Sequence, residues 1–305
     1  MAEEPDSLNE RFGLVGAASF DAGRGGLVRL NIAAAASRAE MYLHGAHVTA
    51  WRPTGAEGVL WLSRQSLFQP GRPIRGGVPV CWPWFGPLAG EPNAPLHGFA
   101  RLVEWDVESV RREAGGDVTA CLVLRSGDAV QAVWPWEGDF ELRHRVRVGA
   151  MLEMTLETRN GGRRPLVIDE ALHSYFRVSD VRNVCIRGLT GAEYVDKADA
   201  MRRKRQGVEP LRFAGQTDRL HVNTRCTCVL DDPGLGRRIS VAKSGSLSTV
   251  VWNPWADKAR AMSDFGDEEW PEMVCVETAN AADNAVTVGP GQSHAMTARI
   301  GVAPA

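Results

Sequence analysis

Two side chains in this sequence combine proton chemistry with segments able to hold them still. His173 lies in PLVIDEALHSYFRVSD, residues 165–180, an alternating β-rich run of the kind that fills a core. A histidine on such a strand reads first as a packed, hydrogen-bonded core residue, and a chemical role has to be argued from elsewhere in the chain. Glu277 lies in the apolar run MVCVETA. An ionised carboxylate there is costly unless paired or hydrogen-bonded. Without a local partner its pKa rises, which suits general-base work near neutral pH. The same residues also allow a glutamate that faces solvent at a strand end.

A third concentration of chemistry is SLFQPGRPIRGGVPVCWPWFGPLAGEPNAPLHGFAR, which ends at Arg101 and carries Arg72, Arg75 and His97 among several indoles. Arginine offers a planar fork of donors suited to phosphate or carboxylate, and Gly76-Gly77 lets backbone approach a ligand closely. The spacing equally allows each arginine to pair with a nearby carboxylate. Asp218 in QTDRLH and Asp264 in AMSDF read from their settings as turn formers. The basic run RRKR at 202–205 reads as a solvated loop face, and His44 and His47 as a packed turn. Cys226 and Cys228 read as packing residues, because no second pair stands at zinc-like spacing; no metal site is expected. P-loop, GxSxG and HExxH motifs are absent from the sequence.

The elements that must position these groups are strands. From Leu27 onward, short β-branched and alternating segments are bounded by glycine, proline, asparagine or aspartate. They include LVRLNI, AHVTAW, GVLWLS, FELRHRVRV, MLEMTLETR, RRISVAK, STVVWN and HAMTARIGV, with an AGGD turn closing a hairpin between LVEWDVESV and VTACLVLRS. Helical periodicity is nearly absent. The pattern predicts an all-β fold, a large antiparallel sandwich formed as one domain over residues 1–305. The proline- and glycine-rich stretch 65–101 cannot pair regularly, and its aromatic residues predict an ordered loop anchored on a sheet.

With 35 basic and 37 acidic side chains the formal net charge is -2, which gives no broad basic footprint for nucleic acid. The opening MAEEPDSLNE is acidic where a secretory signal is basic, and no stretch approaches the roughly 18 apolar residues of a membrane span. These features predict a soluble, cytoplasmic protein with reduced cysteines.

Several blocks, in order along the chain, resemble the D-hexose-6-phosphate mutarotases, or glucose-6-phosphate 1-epimerases, of the aldose 1-epimerase superfamily. They are GAHVTAW with VLWLS, RPIRGGVPVCWPWFG with HGFAR, ALHSYFRVSD with GLTGAEYVDK, and WNPWADKARAMSDF with MVCVETAN. The resemblance implies a β-supersandwich, no cofactor, and an acid/base pair at His173 and Glu277. It assigns phosphate binding to Arg75, places His97 and Arg101 at the sugar-phosphate site, and makes Asp218 a substrate-binding residue. Many relatives have proline and glycine after the glutamate, where this chain has Thr278 and Ala279. The implied reaction is ring opening and reclosure of a hexose 6-phosphate, with Glu277 taking the C1 hydroxyl proton and His173 protonating the ring oxygen. The expected partner is that small molecule alone, with no nucleic acid or membrane, and the expected state is a monomer. An aldose 1-epimerase for unphosphorylated sugars and a non-catalytic sugar-phosphate binder are the competing readings.

Overall fold

Alternation in the sequence becomes alternation in burial. In the computed structural model, which describes residues 3–305, strands Phe140–Val148 and Leu152–Asn160 bury every second side chain. This is the pattern of a sheet with one face on a core and one towards water. These strands belong to an antiparallel eight-stranded sheet ordered Cys185–Arg187, Cys228–Asp232, Arg237–Ser244, Ser293–Pro304, Leu152–Asn160, Phe140–Val148, Val118–Arg125, Asp106–Arg112. The AGGD hairpin forms between the last two.

A second eight-stranded sheet carries the candidate site. Its order is Arg202–Arg205, Glu193–Asp196, Thr217–His221, Ser248–Asn253, Met273–Asn280, Glu170–Leu172, Val80–Cys81, with Tyr175–Arg177 also paired to Met273–Asn280. Met273–Asn280 is buried along its whole length, as its near-continuous apolar sequence requires. One hydrophobic core joins the two large sheets, contacted from one through Leu142, Met154 and Ile300 and from the other through Val274 and Val276. A four-stranded N-terminal sheet spans Ala18–Ala22, Val28–Ala33, Ser37–Tyr42 and His47–Pro53.

The long loop is ordered as expected: only Val80–Cys81 is a strand within residues 65–99, and Phe68, Trp82 and Trp84 are buried. His44 and His47 anchor it, with their Nε2 atoms 2.8 and 2.7 Å from the carbonyls of Arg72 and Gly76. Near its end His97 and Gly98 have φ of 62° and 77°. A Cβ on Gly98 would lie 1.9 Å from the Trp82 carbonyl oxygen, which accepts from Phe99 N and Ala100 N. Gly98→Ala is therefore expected to cost at least about 1–3 kcal/mol. A denaturant midpoint indistinguishable from wild type would show that the loop does not need this conformation.

Four expectations are corrected. The run 165–180 is three short strands, Leu166–Ile168, Glu170–Leu172 and Tyr175–Arg177. Asp169, His173 and Tyr175 donate their amides to the loop carbonyls of Pro83, Pro79 and Gly77, so the proline-rich loop takes bonds that a continuous ladder would use. GVLWLS makes only isolated bridges, through Leu60 and Leu62. Arg202–Arg205 is an edge strand, charged on both sides and paired to acids such as Asp196 and Asp283, which blocks further sheet growth. Cys226 is exposed, outside the strand that buries Cys228; all six cysteines are free. The chain also forms helices Pro5–Phe12 and Trp255–Arg260, too short for periodicity to reveal.

Candidate active site

The break in the histidine run is what positions the histidine. Leu172 pairs with Thr278 and Tyr175 with Cys275, so the two residues between them keep register, with His173 opposite Glu277. His173 Nε2 lies 3.3 Å from Glu277 Oε1, and the two residues are 7% and 1% exposed. Residues far apart in sequence thus meet on one sheet face. The same face continues as a row: Tyr175 is opposite Cys275, Cys275 opposite Trp252, and Trp252 opposite Asp218. The Tyr175 ring stacks on His173 at 4.7 Å and 11°, and Trp252 meets it edge-on at 6.1 Å. Two aromatic contacts and one carboxylate hold the imidazole.

Burial pushes the Glu277 carboxyl well above its usual range; the Lys197 ammonium acts against this, and Asp218 adds to it. Burial likewise pushes His173 well below its usual value, with the positive charges of Arg101 and Arg75 acting in the same direction. Both shifts favour neutral side chains over the ion pair. Among the described residues, Glu277 Oε2 and His173 Nδ1 have no partner. Polar atoms this buried are usually satisfied, so these two have hydrogen-bonding capacity left for a further partner.

The loop forms the opposing wall. His97 is 5.8 Å from His173 between ring centres and 4.7 Å from Phe85. Its Nδ1 accepts from Gly86 N at 3.2 Å, and burial keeps the ring neutral, so the hydrogen sits on Nε2 as a free donor. Lys197 follows the strand Glu193–Asp196, donates its amide to the Asp218 carbonyl at 2.8 Å, and lays its Nζ over the Phe85 ring at 4.6 Å.

The arginines separate into three cases. Arg72 is exposed and is engaged through its backbone, the carbonyl with His44 and the amide donating to Gln69 O. Arg75 pairs with Asp264 at 3.0 Å and donates to the Tyr175 hydroxyl at 3.1 Å, so it has a carboxylate partner and also braces the ring under His173. Arg101 is 7% exposed and pairs with no carboxylate among the described residues; Nη2 donates to Leu96 O at 2.6 Å, and Nε has no partner. Burial lowers its pKa, the expected consequence of a desolvated charge without a counterion.

His173, Glu277 and His97 are thus brought together, Asp218 joins them through the register, and Arg75 and Arg101 flank the pair. Sequence reasoning passed over Tyr175, Trp252 and Lys197. Tyr175 had a usable signal, since it stands two residues from His173 and so shares its face. Trp252 and Lys197 stand in the blocks WNPWADKARAMSDF and GLTGAEYVDK, but nothing local singled them out, because strand pairing brings them here.

Fold and site together define a β-sandwich enzyme that sets a buried histidine–glutamate pair beneath a cationic loop, an arrangement for moving protons on a polar ligand. Residues 28–301 match the family model described as aldose 1-epimerase, and the chain belongs to that family. It is 38% identical over 81% of its length to an Escherichia coli (strain K12) protein, of which 81% is covered, named "Putative glucose-6-phosphate 1-epimerase". A protein of the same name from Cenchrus ciliaris is 34% identical over 83% of this chain and 78% of its own. The crystal structure of "a putative mutarotase (YeaD)" from Salmonella typhimurium superposes with a TM-score of 0.89 at 33% identity, covering 96% of each chain. The protein is an isomerase of the epimerase class that interconverts sugar anomers.

Proposed function

We propose that the substrate is a hexose 6-phosphate, glucose 6-phosphate in the first instance, and that Glu277 and His173 exchange its anomers. Glu277 as carboxylate takes the C1 hydroxyl proton while His173 as imidazolium protonates the ring oxygen. The C1–O5 bond breaks to give the open aldehyde, rotation about C1–C2 exposes its other face, and the two proton transfers reverse. The pair carries one proton before opening and one after. Ring opening leaves GluH with neutral His, the form burial also favours at rest, so the reacting ion pair is formed from it by proton transfer from Glu277 to His173 once the sugar is bound. No other redox or group-transfer partner is needed to balance the reaction, and the proposed enzyme works without a cofactor.

The observation that carries the proton chemistry is the 3.3 Å approach of His173 Nε2 to Glu277 Oε1 in a buried setting. Arg101 supports the phosphate: a buried guanidinium with no carboxylate partner is matched by an anionic ligand. A site for unphosphorylated aldoses would leave that charge uncompensated. Arg75, with donors beyond those held by Asp264 and Tyr175, joins in phosphate binding, and the free Nε2–H of His97 and the carboxylate of Asp218 bind sugar hydroxyls. We further propose a single domain over residues 1–305 that acts as a cytoplasmic monomer on a small molecule, without nucleic acid or membrane. Among the described residues no helix is long and apolar enough to cross a membrane.

Freshly dissolved α-glucose 6-phosphate followed by NMR tests this reading. Anomer exchange should run far above the buffer rate and faster than with glucose at equal concentration; exchange at the buffer rate defeats the proposal. The pH profile is a second readout. Activity should fall in acid as the pair takes a second proton, which depressed His173 resists, and in alkali as it loses its last, which elevated Glu277 resists. The expected kcat/KM profile is a bell with a broad plateau across neutrality; a narrow peak would mean that the two groups titrate independently.

A further inference from the structure

We propose that the floor of this site is also a binding site for a soft or borderline divalent cation such as Zn2+ or Cd2+, and that the ion excludes the sugar. One ligand atom each from His173, Cys275 and Glu277 lies within 4.8 Å of the other two, and all three residues are buried. They converge because Cys275 and Glu277 alternate on one strand face while His173 faces Glu277 across the ladder. Imidazole, thiolate and carboxylate make a three-ligand set of the kind that leaves a fourth position open on zinc. Bond lengths of about 2.0–2.3 Å place tetrahedral ligands roughly 3.5 Å apart, a spacing His173 and Glu277 already have at 3.3 Å, so the Cys275 thiol must close by about 1 Å. The unpartnered Oε2 of Glu277 gives the carboxylate freedom to turn towards the ion.

The charges balance. Binding releases the thiol proton of Cys275 and the single proton of the His173–Glu277 pair to solvent, leaving thiolate and carboxylate to neutralise the dication beside a neutral imidazole. Affinity therefore rises with pH. His173 Nδ1 lacks the hydrogen-bond partner that dedicated metal sites give their histidines, which lowers affinity by about 10–100-fold. The site is thus one an ion occupies in competition with substrate. Cys275 takes no part in the proton transfers proposed above, so metal sensitivity is read against the uninhibited rate of each protein.

The metal-binding claim stands on the cluster alone, whereas inhibition rests on the proposed function. Cd2+ is titrated into the Cys226→Ser protein, which removes the exposed thiol, and thiolate-to-cadmium charge-transfer absorption is recorded. One equivalent should give the band, glucose 6-phosphate should displace it, and the added Cys275→Ser change should abolish it. Zn2+ should inhibit anomer exchange, with Cys275→Ser raising the half-inhibitory concentration, taken against each protein's own uninhibited rate, at least about tenfold. A band that survives Cys275→Ser, or inhibition equal in both proteins, overturns the site. If Cys275→Ser does not fold, displacement of the band by glucose 6-phosphate in the parent protein decides: a band indifferent to the sugar rejects the proposal. Cd2+ bound through Cys275 in a protein without anomer exchange leaves the metal site standing and removes the epimerase reading; active protein with no band does the reverse.

Discussion

Glu277→Gln should lower kcat for glucose 6-phosphate by about 10^2–10^4, or roughly 3–5 kcal/mol in the barrier, while KM changes little. Glutamine keeps the size and a polar contact to His173 but cannot take or return a proton. Its effect on stability separates chemistry from structure. Glu277 is 1% exposed, and burial already favours its neutral form, so an uncharged isostere needs no new compensation and the melting temperature should stay close to wild type. NMR exchange under saturating substrate, with a thermal melt on the same preparation, checks both. Retention of more than about a tenth of the wild-type rate would move the base elsewhere, with Asp218 first in line because it shares the sheet face and its carboxyl is also raised by burial.

Arg101→Met should reduce kcat/KM for glucose 6-phosphate by about 30- to 1000-fold, the 2–4 kcal/mol range for truncating one side of a buried charged contact. It should leave exchange of unphosphorylated glucose nearly untouched. The protein itself should become no less stable, because the guanidinium is buried without a carboxylate and a flexible apolar side chain of similar length removes an uncompensated charge. Loss of phosphosugar activity with an equal or higher melting temperature is the signature of a charge kept for a ligand. The opposite outcome, a lower melting temperature with an unchanged preference for the phosphorylated sugar, would make Arg101 a structural residue. Arg75 should behave differently: its removal also frees Asp264 and unbraces Tyr175 under His173, so stability and kcat should fall along with affinity.

Much of the frame was legible in the chain. FELRHRVRV and STVVWN coincide with the strands Phe140–Val148 and Ser248–Asn253, and RRISVAK and HAMTARIGV differ from theirs by a residue or two at the ends. These segments alternate or are continuously apolar, and a half-buried or fully buried sheet selects for those patterns directly. The loop 65–101 was legible for the opposite reason: prolines cannot donate to a ladder, and aromatic side chains anchor what the ladder cannot. The segments read incorrectly, GVLWLS and the single strand through His173, have the composition of strands, but GVLWLS spreads its amides over Trp51, Tyr175 and Arg75, and the histidine run gives those of Asp169, His173 and Tyr175 to a distant loop.

The residue types by themselves determined which chemistry was available: a histidine and a glutamate set in apolar strands, and arginines in a glycine-rich loop. Only the tertiary structure decided how they are used. Register between Tyr175–Arg177 and Met273–Asn280 sets His173 against Glu277, and it also brings Cys275 and Trp252 to the same face. Packing gave Arg75 a carboxylate and left Arg101 without one, two outcomes the local sequence could not distinguish. The physical reason is range. Strand propensity and alternation act over a few neighbouring residues, whereas ion pairing and desolvation depend on every atom within several ångströms, most of them contributed by remote parts of the chain.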